Sequence, residues 1–225
     1  MKKLFFWILL SASTLNLKGQ CNFKETETMA FNLVLGLETF QSPGELDSNL
    51  INNNFTKLNN SPLTFGFEFS IASRKSTLKT QLRGTNIFVS RNGQEMTNQG
   101  SSISLQYGYD LLSYSFKTYA YPFIGIRYYN WKIFGKSQDE KKLSASKNEF
   151  DALIGIGLRQ FLNDDLRGVF NNIDINLGVS LPLTNGKWNS ADEIHNSIIE
   201  GTMVNKTSYF ILLTIGRGFR PAKLQ

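Results

Sequence analysis

The segment Leu63-Thr64-Phe65-Gly66-Phe67-Glu68-Phe69-Ser70-Ile71 decides the fold. Its odd positions are all bulky hydrophobic residues, and its even positions are Thr, Gly, Glu and Ser. A period of two is typical of a β-strand whose two faces meet different surroundings. The rest of the chain is therefore expected to complete a sheet with one apolar face and one polar face.

The same alternation recurs in seven further segments, at positions 29–40, 77–89, 103–111, 118–134, 150–159, 173–181 and 208–219. These segments have about the 9–11 residues that a tilted membrane-spanning strand needs. The sequence therefore predicts an all-β fold, an eight-stranded antiparallel up-and-down transmembrane β-barrel. A closed barrel is the only sheet whose backbone groups are all paired inside hydrocarbon.

Two of these strands are less regular. In segment 77–89 the apolar phase slips after Gly84, which predicts a β-bulge there. In segment 118–134 both faces carry aromatic residues, so the orientation of this strand stays open.

The predicted connections alternate in length. Four long connections, at 41–61, 91–100, 135–147 and 182–207, alternate with three short ones. Outer-membrane barrels have this asymmetry, with longer loops outside the cell and short turns in the periplasm. In the first long connection, Ile51, Phe55 and Leu58 are spaced for one face of a short helix that Asp47 or Ser48 would cap.

The first twenty residues have the features of a secretory signal peptide. Lys2 and Lys3 precede an apolar run at 4–10 that is too short to span a bilayer, and small residues follow it. We expect a signal peptide at 1–20, a periplasmic segment at 21–28, the barrel at 29–219 and a periplasmic tail at 220–225. Cys21 is the only cysteine and cannot form an internal disulfide, but it allows an alternative in which a lipid anchors the new N-terminus.

Composition excludes several functional classes. The chain has 24 Lys and Arg against 18 Asp and Glu, and Lys2, Lys3 and Lys18 leave with the leader, so the net charge falls from +6 to +3. A charge this small does not indicate a nucleic-acid partner. One histidine and one cysteine cannot form a transition-metal cluster, and the glycines lack phosphate-loop spacing, so we expect no metal and no cofactor.

One face of the predicted barrel is expected to meet lipid. Its side chains are Leu33, Leu35, Phe65, Phe67, Phe69, Leu105, Tyr107, Ile154, Ile156, Ile175, Leu177, Ile211 and Leu213.

The opposite face points into the lumen and carries charge. Its charged residues are Glu38, Glu68, Lys79, Arg83, Asp110, Arg127, Asp151, Arg159 and Asp174. Because buried charges need partners, we expect an ion-pair network that holds the barrel shut. A small proton or ion path through the lumen is the alternative.

A soluble eight-stranded barrel of the lipocalin kind, with an apolar ligand cavity, is the main alternative fold, and a two-sheet sandwich is another. A soluble exterior would carry Lys and Glu along the strands, whereas the polar face here is mostly Gly, Ser, Asn and Thr. The Gly-x-Trp opening of lipocalins is also absent, because the three tryptophans are Trp7, Trp131 and Trp188. Small side chains suit the crowded lumen of a barrel of about eight strands.

Four features of the chain are shared with a known family. They are a leader that ends in Gly-Gln, eight amphipathic strands, the segment Tyr121-Pro122-Phe123-Ile124-Gly125-Ile126 and a glycine-rich last strand. In these features the chain resembles the small outer-membrane β-barrel proteins of Bacteroidetes. The resemblance implies a place in a bacterial outer membrane, with membrane lipid, lipopolysaccharide and the outer-membrane assembly machinery as partners. Many such chains end on an aromatic residue, whereas here residues 220–225 follow Phe219.

The only histidine is the one candidate for catalysis. The order His195-Asn196-Ser197, with Glu200 nearby, resembles the His-x-Ser arrangement of the lipid A 3-O-deacylase family. The local sequence favours a helix instead, with a capping box at 190–193 and Gly201 at its end. Residues two apart point away from each other on a helix, so we predict no catalytic residue.

The sequence therefore predicts a non-enzymatic outer-membrane barrel with a polar, largely filled lumen and a structural or partner-binding role. Its long loops, above all 41–61 and 182–207, are expected to meet an extracellular or envelope protein, since loops on a rigid scaffold carry binding functions. A lipid A-modifying enzyme and a soluble lipocalin-like barrel that binds lipid are the alternative functions.

Overall fold

The computed structural model describes residues 28–39, 44–56, 63–73, 76–111, 118–137, 139, 141–162, 170–184, 188–190 and 207–219. These ranges contain the strands β1 (Thr28–Glu38), β2 (Leu63–Ala72), β3 (Ser76–Arg91), β4 (Gln94–Tyr109), β5 (Thr118–Lys136), β6 (Lys142–Phe161), β7 (Asn172–Pro182), β8 (Asn189–Ser190) and β9 (Ser208–Phe219), and the helix α1 (Gly44–Asn52). No helix in these ranges is long and apolar enough to cross a membrane.

Eight of the strands form one closed wall. They pair antiparallel in the order β5-β4-β3-β2-β1-β9-β7-β6, and β5 also pairs with β6, which closes the sheet. The short β8 pairs only with the outer part of β6. The pairing confirms the predicted eight-stranded antiparallel up-and-down barrel.

The strands are staggered around the barrel. A circuit of paired residues that starts at Thr28 passes through Ala72, Thr77, Gly108, Phe123, Gly155, Gly178 and Phe210 and returns to β1 at Glu38, ten residues further on. Closure with a stagger tilts the strands by about 35–45° to the barrel axis. Side chains in one paired row therefore run diagonally around the wall.

The two ends of the barrel differ. One end, the turn end, carries the first and last strand residues, Thr28 and Phe219, and the connections 73–75, 110–117 and 162–171. The other end, the loop end, carries α1 and the connections from β3 to β4, from β5 to β6 and from β7 to β9.

Two of the four predicted long loops are wrong. Residues 91–100 are not a loop, because β3 runs to Arg91 and β4 starts at Gln94. Asn92 and Gly93 join them with φ of 52° and 76°, the positive values of a two-residue hairpin turn. The predicted loop 135–147 is also mostly strand, since only residues 137–141 separate β5 from β6. These strand ends are polar, and hydrophobic alternation therefore could not mark them.

Gly93 is expected to be required by this hairpin. Gly93→Ala should lower the free energy of unfolding by about 1–2 kcal/mol, because an L-residue pays that cost in the left-handed region. A Cβ at Gly93 would meet no atom within 4 Å, so the cost is conformational and not steric. Guanidinium unfolding measures it, and Gly93→Asn should cost less because Asn tolerates this conformation. An equal loss for both variants would contradict the assignment.

The predicted bulge at Gly84 is also wrong. β3 and β4 pair in one unbroken register from Ser76 opposite Tyr109 to Arg91 opposite Gln94. The hydrophobic residues change face although the backbone does not slip. Val89 faces inward opposite the buried Met96, because the loop end has an apolar core of its own.

The orientation that the sequence left open for β5 is resolved. Arg127 and Tyr129 are each 2% exposed and face inward, while Ile124 and Ile126 are 64% and 42% exposed on the outer wall. Both faces are apolar because the inward Tyr121 and Phe123 belong to the packed interior.

The wall is taller on one side. Strands β3, β4, β5 and β6 have 16, 16, 19 and 20 residues, against 10–12 in the other four wall strands. The concave side of this extension holds the loop-end core, a buried cluster of Leu50, Phe55, Met96, Tyr129, Trp131, Ile133, Leu143, Ala145 and Trp188.

Helix α1 covers part of this core. A helix is present as predicted, but it begins at Gly44, one turn before Asp47, so neither Asp47 nor Ser48 caps it. Leu50 is fully buried, whereas Ile51, assigned to the apolar face, is 47% exposed. Phe55 is buried just beyond the helix end.

Candidate functional site: the charged lumen and the outer wall

The charged residues assigned to the lumen all lie inside the barrel, each at most 8% exposed. Two ion-paired groups contain eight of them: the Asp174 group, with Glu68, Lys79, Arg159 and Asp174, and the Arg127 group, with Glu38, Arg83, Arg127 and Asp151. The ninth residue, Asp110, lies at the turn end, where it lines a small cavity with Arg159 and Tyr119.

The carboxylate of Asp174 is the centre of its group. Its Oδ2 is paired with the Lys79 ammonium, lies 3.2 Å from Arg159 Nη2, and accepts a hydrogen bond of 2.6 Å from the Tyr121 hydroxyl. Lys79 Nζ also donates to Asn176 Oδ1 at 3.0 Å. One buried carboxylate therefore partners two cations and a phenol from three other strands.

Glu68 extends the Asp174 group across the lumen. Its two oxygens accept from Asn32 Nδ2 at 2.8 Å and from Gln81 Nε2 at 2.7 Å, and Lys79 Nζ lies 3.7 Å away. Gln81 in turn accepts from Gln106 at 3.1 Å. The charge of Glu68 is thus surrounded by hydrogen-bond donors, as a buried carboxylate requires.

Glycines make room for the Tyr121 ring inside this group. A Cβ at Gly157 would lie 2.1 Å from Tyr121 Cζ, and one at Gly108 would lie 2.5 Å from Tyr121 Cδ2. The small residues on the inward face therefore allow a large side chain to reach Asp174.

The Arg127 group lies nearer the loop end. Arg127 pairs with Glu38 and donates from Nη2 to Asp151 Oδ2 at 2.6 Å. Ser180 joins them, accepting from Arg127 at 2.9 Å and donating to Asp151 at 2.8 Å. Arg83 lies 3.6 Å from Glu38 and over the Phe210 ring at 5.8 Å. The fixed fork of Arg127 thus ties together three wall strands besides its own.

An apolar layer lies between the two groups on β1, β5, β6 and β9. It consists of Val34, Phe123, Leu153, Phe210 and Leu212, and Tyr121 borders it. On β1, Val34 lies between Asn32 and Glu38; on β6, Leu153 lies between Asp151 and Arg159. The rings of Phe123 and Phe210 approach to 6.3 Å between centroids. On β3 and β4 the inward residues between the groups are polar instead: Gln81 accepts from Gln106, which also donates to Ser104, and Ser104 is paired with Arg127.

We expect the protein to pass no ions in planar lipid bilayers. Paired charges and the apolar layer fill the lumen, and the loop-end core covers its far side. Current recordings on refolded protein should show a flat baseline without steps. Stable unitary currents that scale with the amount of protein would contradict a filled lumen and favour an ion path.

The outer wall carries the residues assigned to lipid. Twelve of the thirteen are between 37% and 66% exposed, and Phe67 is the most exposed. Phe69 is half-buried because its ring packs against that of Phe31 at 4.9 Å. Large hydrophobic side chains thus stand on the surface while charges occupy the interior, the reverse of a soluble domain.

This apolar belt has a clear upper edge. Ile103 and Tyr128 face outward in one pair, and the next outward pair toward the loop end is Ser101 and Asn130. Beyond this edge the outward residues of β4 and β5 include Gln99 and Lys132. The tall part of the wall therefore stands above the belt.

The candidate catalytic segment cannot be placed. His195, Ser197 and Glu200 lie outside the described residues. In the part of the chain that the structure describes, no group of three or more His, Cys, Asp or Glu residues could hold a metal ion.

The apolar layer and the loop-end core are not predicted by the alternation of the strands. Phe210 and Leu212 face inward on β9, although that strand was assigned polar residues on its inner face. A signal was present in β5 and β9, whose two faces are both apolar near the middle. A strand that is apolar on both faces indicates packing on both sides.

No protein-family model matches the chain, and no curated protein matches it. Among solved structures, the chain is similar to the attachment invasion locus protein Ail of Yersinia pestis, with 12% identity, 87% of this chain and 99% of that chain covered, and a TM-score of 0.48. It is also similar to a major outer membrane protein of Thermus thermophilus, with 10% identity, coverage of 84% and 99%, and a TM-score of 0.48. A third similarity, to Neisserial surface protein A, has 8% identity, coverage of 87% and 97%, and a TM-score of 0.46. Likenesses at this level carry no argument about function.

Proposed function

We propose that this protein spans a bacterial outer membrane as a sealed, non-enzymatic barrel that holds an extracellular surface in place. The observation that carries the proposal is the inverted distribution of side chains, with an apolar belt outside and paired charges inside. Hydrocarbon stabilises such a wall, and the closed ladder leaves no strand edge in the lipid. The belt suits an apolar band about 25 Å tall.

The turn end faces the periplasm in this proposal, and the loop end faces outward. The chain would enter from the periplasm after removal of the signal peptide at 1–20, with segments 21–28 and 220–225 on that side. The partners would be membrane lipid and lipopolysaccharide around the belt and the outer-membrane assembly machinery during insertion.

The loop end is the surface for a further partner. The hairpin of β3 and β4, the hairpin of β5 and β6 and α1 are joined by the loop-end core, so they form one packed unit. Asn54 Nδ2 also donates to Asp139 Oδ2 at 2.9 Å, which ties the end of α1 to the turn after β5. Phe88 and Phe134, 61% and 40% exposed, stand on its outward side. A packed unit of this kind suits contact with an extracellular or envelope protein.

Cell fractionation with heat-dependent gel mobility tests the proposal. The full chain expressed in a Gram-negative host should sediment with the outer membrane and migrate differently before and after boiling in SDS, because a closed barrel resists the detergent. A freely soluble periplasmic product with one mobility would overturn the membrane assignment and favour the lipocalin-like alternative.

A further inference from the structure

The outer wall has a groove near the turn end. It encloses about 430 Å³ and crosses strands β9, β1, β2 and β3. Its two sides are neighbouring rows of paired outward residues: one row contains Ile215, Leu33, Phe67 and Leu82, and the other contains Arg217, Phe31, Phe69 and Thr80.

The floor of the groove lies between these rows. It is the paired row of Gly216, Asn32 and Glu68, whose side chains, where present, point into the lumen. Only backbone therefore lies beneath the groove. Three strand spacings of about 4.8 Å make it roughly 14 Å long. Because the strands are tilted, it rises diagonally from the turn end toward the middle of the belt.

The two ends of the groove differ in chemistry. Arg217 stands at the end nearest the barrel rim, where it is paired with Phe31 and lies two residues before Phe219, the last residue of β9. It is an exposed cation beside large hydrophobic side chains. At the other end the row finishes at Thr80, whose small side chain leaves the groove open toward the belt beside Leu82.

We propose that this groove binds one glycerophospholipid of the periplasmic leaflet. The Arg217 guanidinium binds the phosphate at the height of the headgroups, and one acyl chain lies between the two rows. A phosphate matches the planar donors of arginine, and an apolar channel that starts at a cation matches the order of headgroup and chain in a phospholipid. This proposal rests on the proposed membrane-spanning function, which places the turn end at the periplasmic interface.

The test is lipid retention by the folded full-length protein. The refolded protein is equilibrated with vesicles of phosphatidylglycerol and phosphatidylethanolamine, extracted in mild detergent and examined by native mass spectrometry. We expect about one phospholipid per barrel. Arg217→Gln should retain at least about tenfold less, and Thr80→Phe, which fills the far end of the groove, should also retain less.

Two matched variants control for general effects. Arg91→Gln removes an exposed cation at the hairpin tip of the loop end, and Ala152→Phe adds a ring to the outer wall of β6 away from the groove. Both should retain phospholipid as the unsubstituted protein does. Equal retention by Arg217→Gln or an equal loss in Arg91→Gln would overturn the proposal. A barrel that inserts and shows heat-dependent mobility but retains no phospholipid refutes this inference alone, whereas a soluble product refutes the proposed function.

Discussion

Asp174→Asn is expected to lower the free energy of unfolding by about 3–5 kcal/mol, the cost of breaking a buried ion pair from one side. Asp174 is fully buried and partners Lys79, Arg159 and Tyr121. An amide has the same shape but no charge, so the two cations would remain buried without it. Guanidinium unfolding from phospholipid vesicles measures the change.

Trp131 and Trp188 can report this unfolding, because both are buried in the loop-end core. Glu95→Gln is the matched control, since it removes an exposed carboxylate from β4 above the belt and should change stability by no more than about 0.5 kcal/mol.

A second substitution sharpens the test of Asp174. In the Asp174→Asn background, Lys79→Met removes one of the two cations that have lost the Asp174 charge and should recover part of the lost stability. Lys79→Met could instead destabilise the Asp174→Asn variant as much as it destabilises the unsubstituted protein. That result would show that the Lys79–Asp174 charge pair does not account for the stability of this part of the lumen.

Phe67→Arg is expected to cost about 2–4 kcal/mol of stability in a bilayer, as a charge does on the lipid face of a barrel at the midplane. Phe67 is 66% exposed and lies in one row with Leu33 and Leu82. In a soluble protein the same change at an exposed position would be nearly neutral. Unfolding from vesicles therefore separates lipid from water as the surroundings of this side chain.

Phe88→Arg is the matched control for Phe67→Arg. Phe88 is similarly exposed, at 61%, and faces outward on the same side of the wall. It lies opposite Thr97, two outward positions above the polar residue Ser101 on β4, so it stands above the belt. We expect its substitution to be nearly neutral. Equal losses for the two variants would contradict the position of the belt.

Glu68→Gln addresses the other face of the same strand. Its amide oxygen can still accept one of the hydrogen bonds from Asn32 and Gln81, and Lys79 keeps Asp174. The loss should therefore be smaller than for Phe67→Arg. A larger loss would show that the lumen contributes more to stability than the lipid face does.

The alternation around Phe67, repeated in seven further segments, together with the alternating lengths of the connections, was sufficient to predict the barrel, its strand count and its two faces. Within the belt each side chain faces either the outside of the wall or the lumen, so hydrophobicity follows the strand period. The nine charged residues of the lumen could be recognised for the same reason: they fall on the polar face of strands whose other face is apolar.

The hairpin extensions could not be recognised in this way. Residues 94–101 of β4 contain one hydrophobic residue, Met96, because both faces of most of this segment lie outside the belt. Its strand structure depends on pairing with β3 and β5, which a local pattern does not encode. The Asn92-Gly93 pair is typical of a two-residue hairpin turn, although the predicted loop at 91–100 included it.

The arrangement of the lumen into two charged groups and an apolar layer also could not be predicted from the sequence. Whether Lys79 pairs with Asp174 or with Asp110 depends on the stagger of the strands, which is set by the register of every pair around the wall. The apolar layer follows from the same stagger, since it brings Val34, Leu153 and Phe210 to one level from distant parts of the chain.

The central claim is that the outer wall contacts hydrocarbon, and fluorescence quenching of Phe67→Trp in bilayers of brominated phospholipid tests it most directly. The added tryptophan should be quenched most strongly by bromines placed near the chain ends at the bilayer centre, because Phe67 lies in the belt. A Phe88→Trp variant, above the belt, should be quenched weakly by the same lipids. Emission from Phe67→Trp that is no more quenched than that of Phe88→Trp would contradict the account.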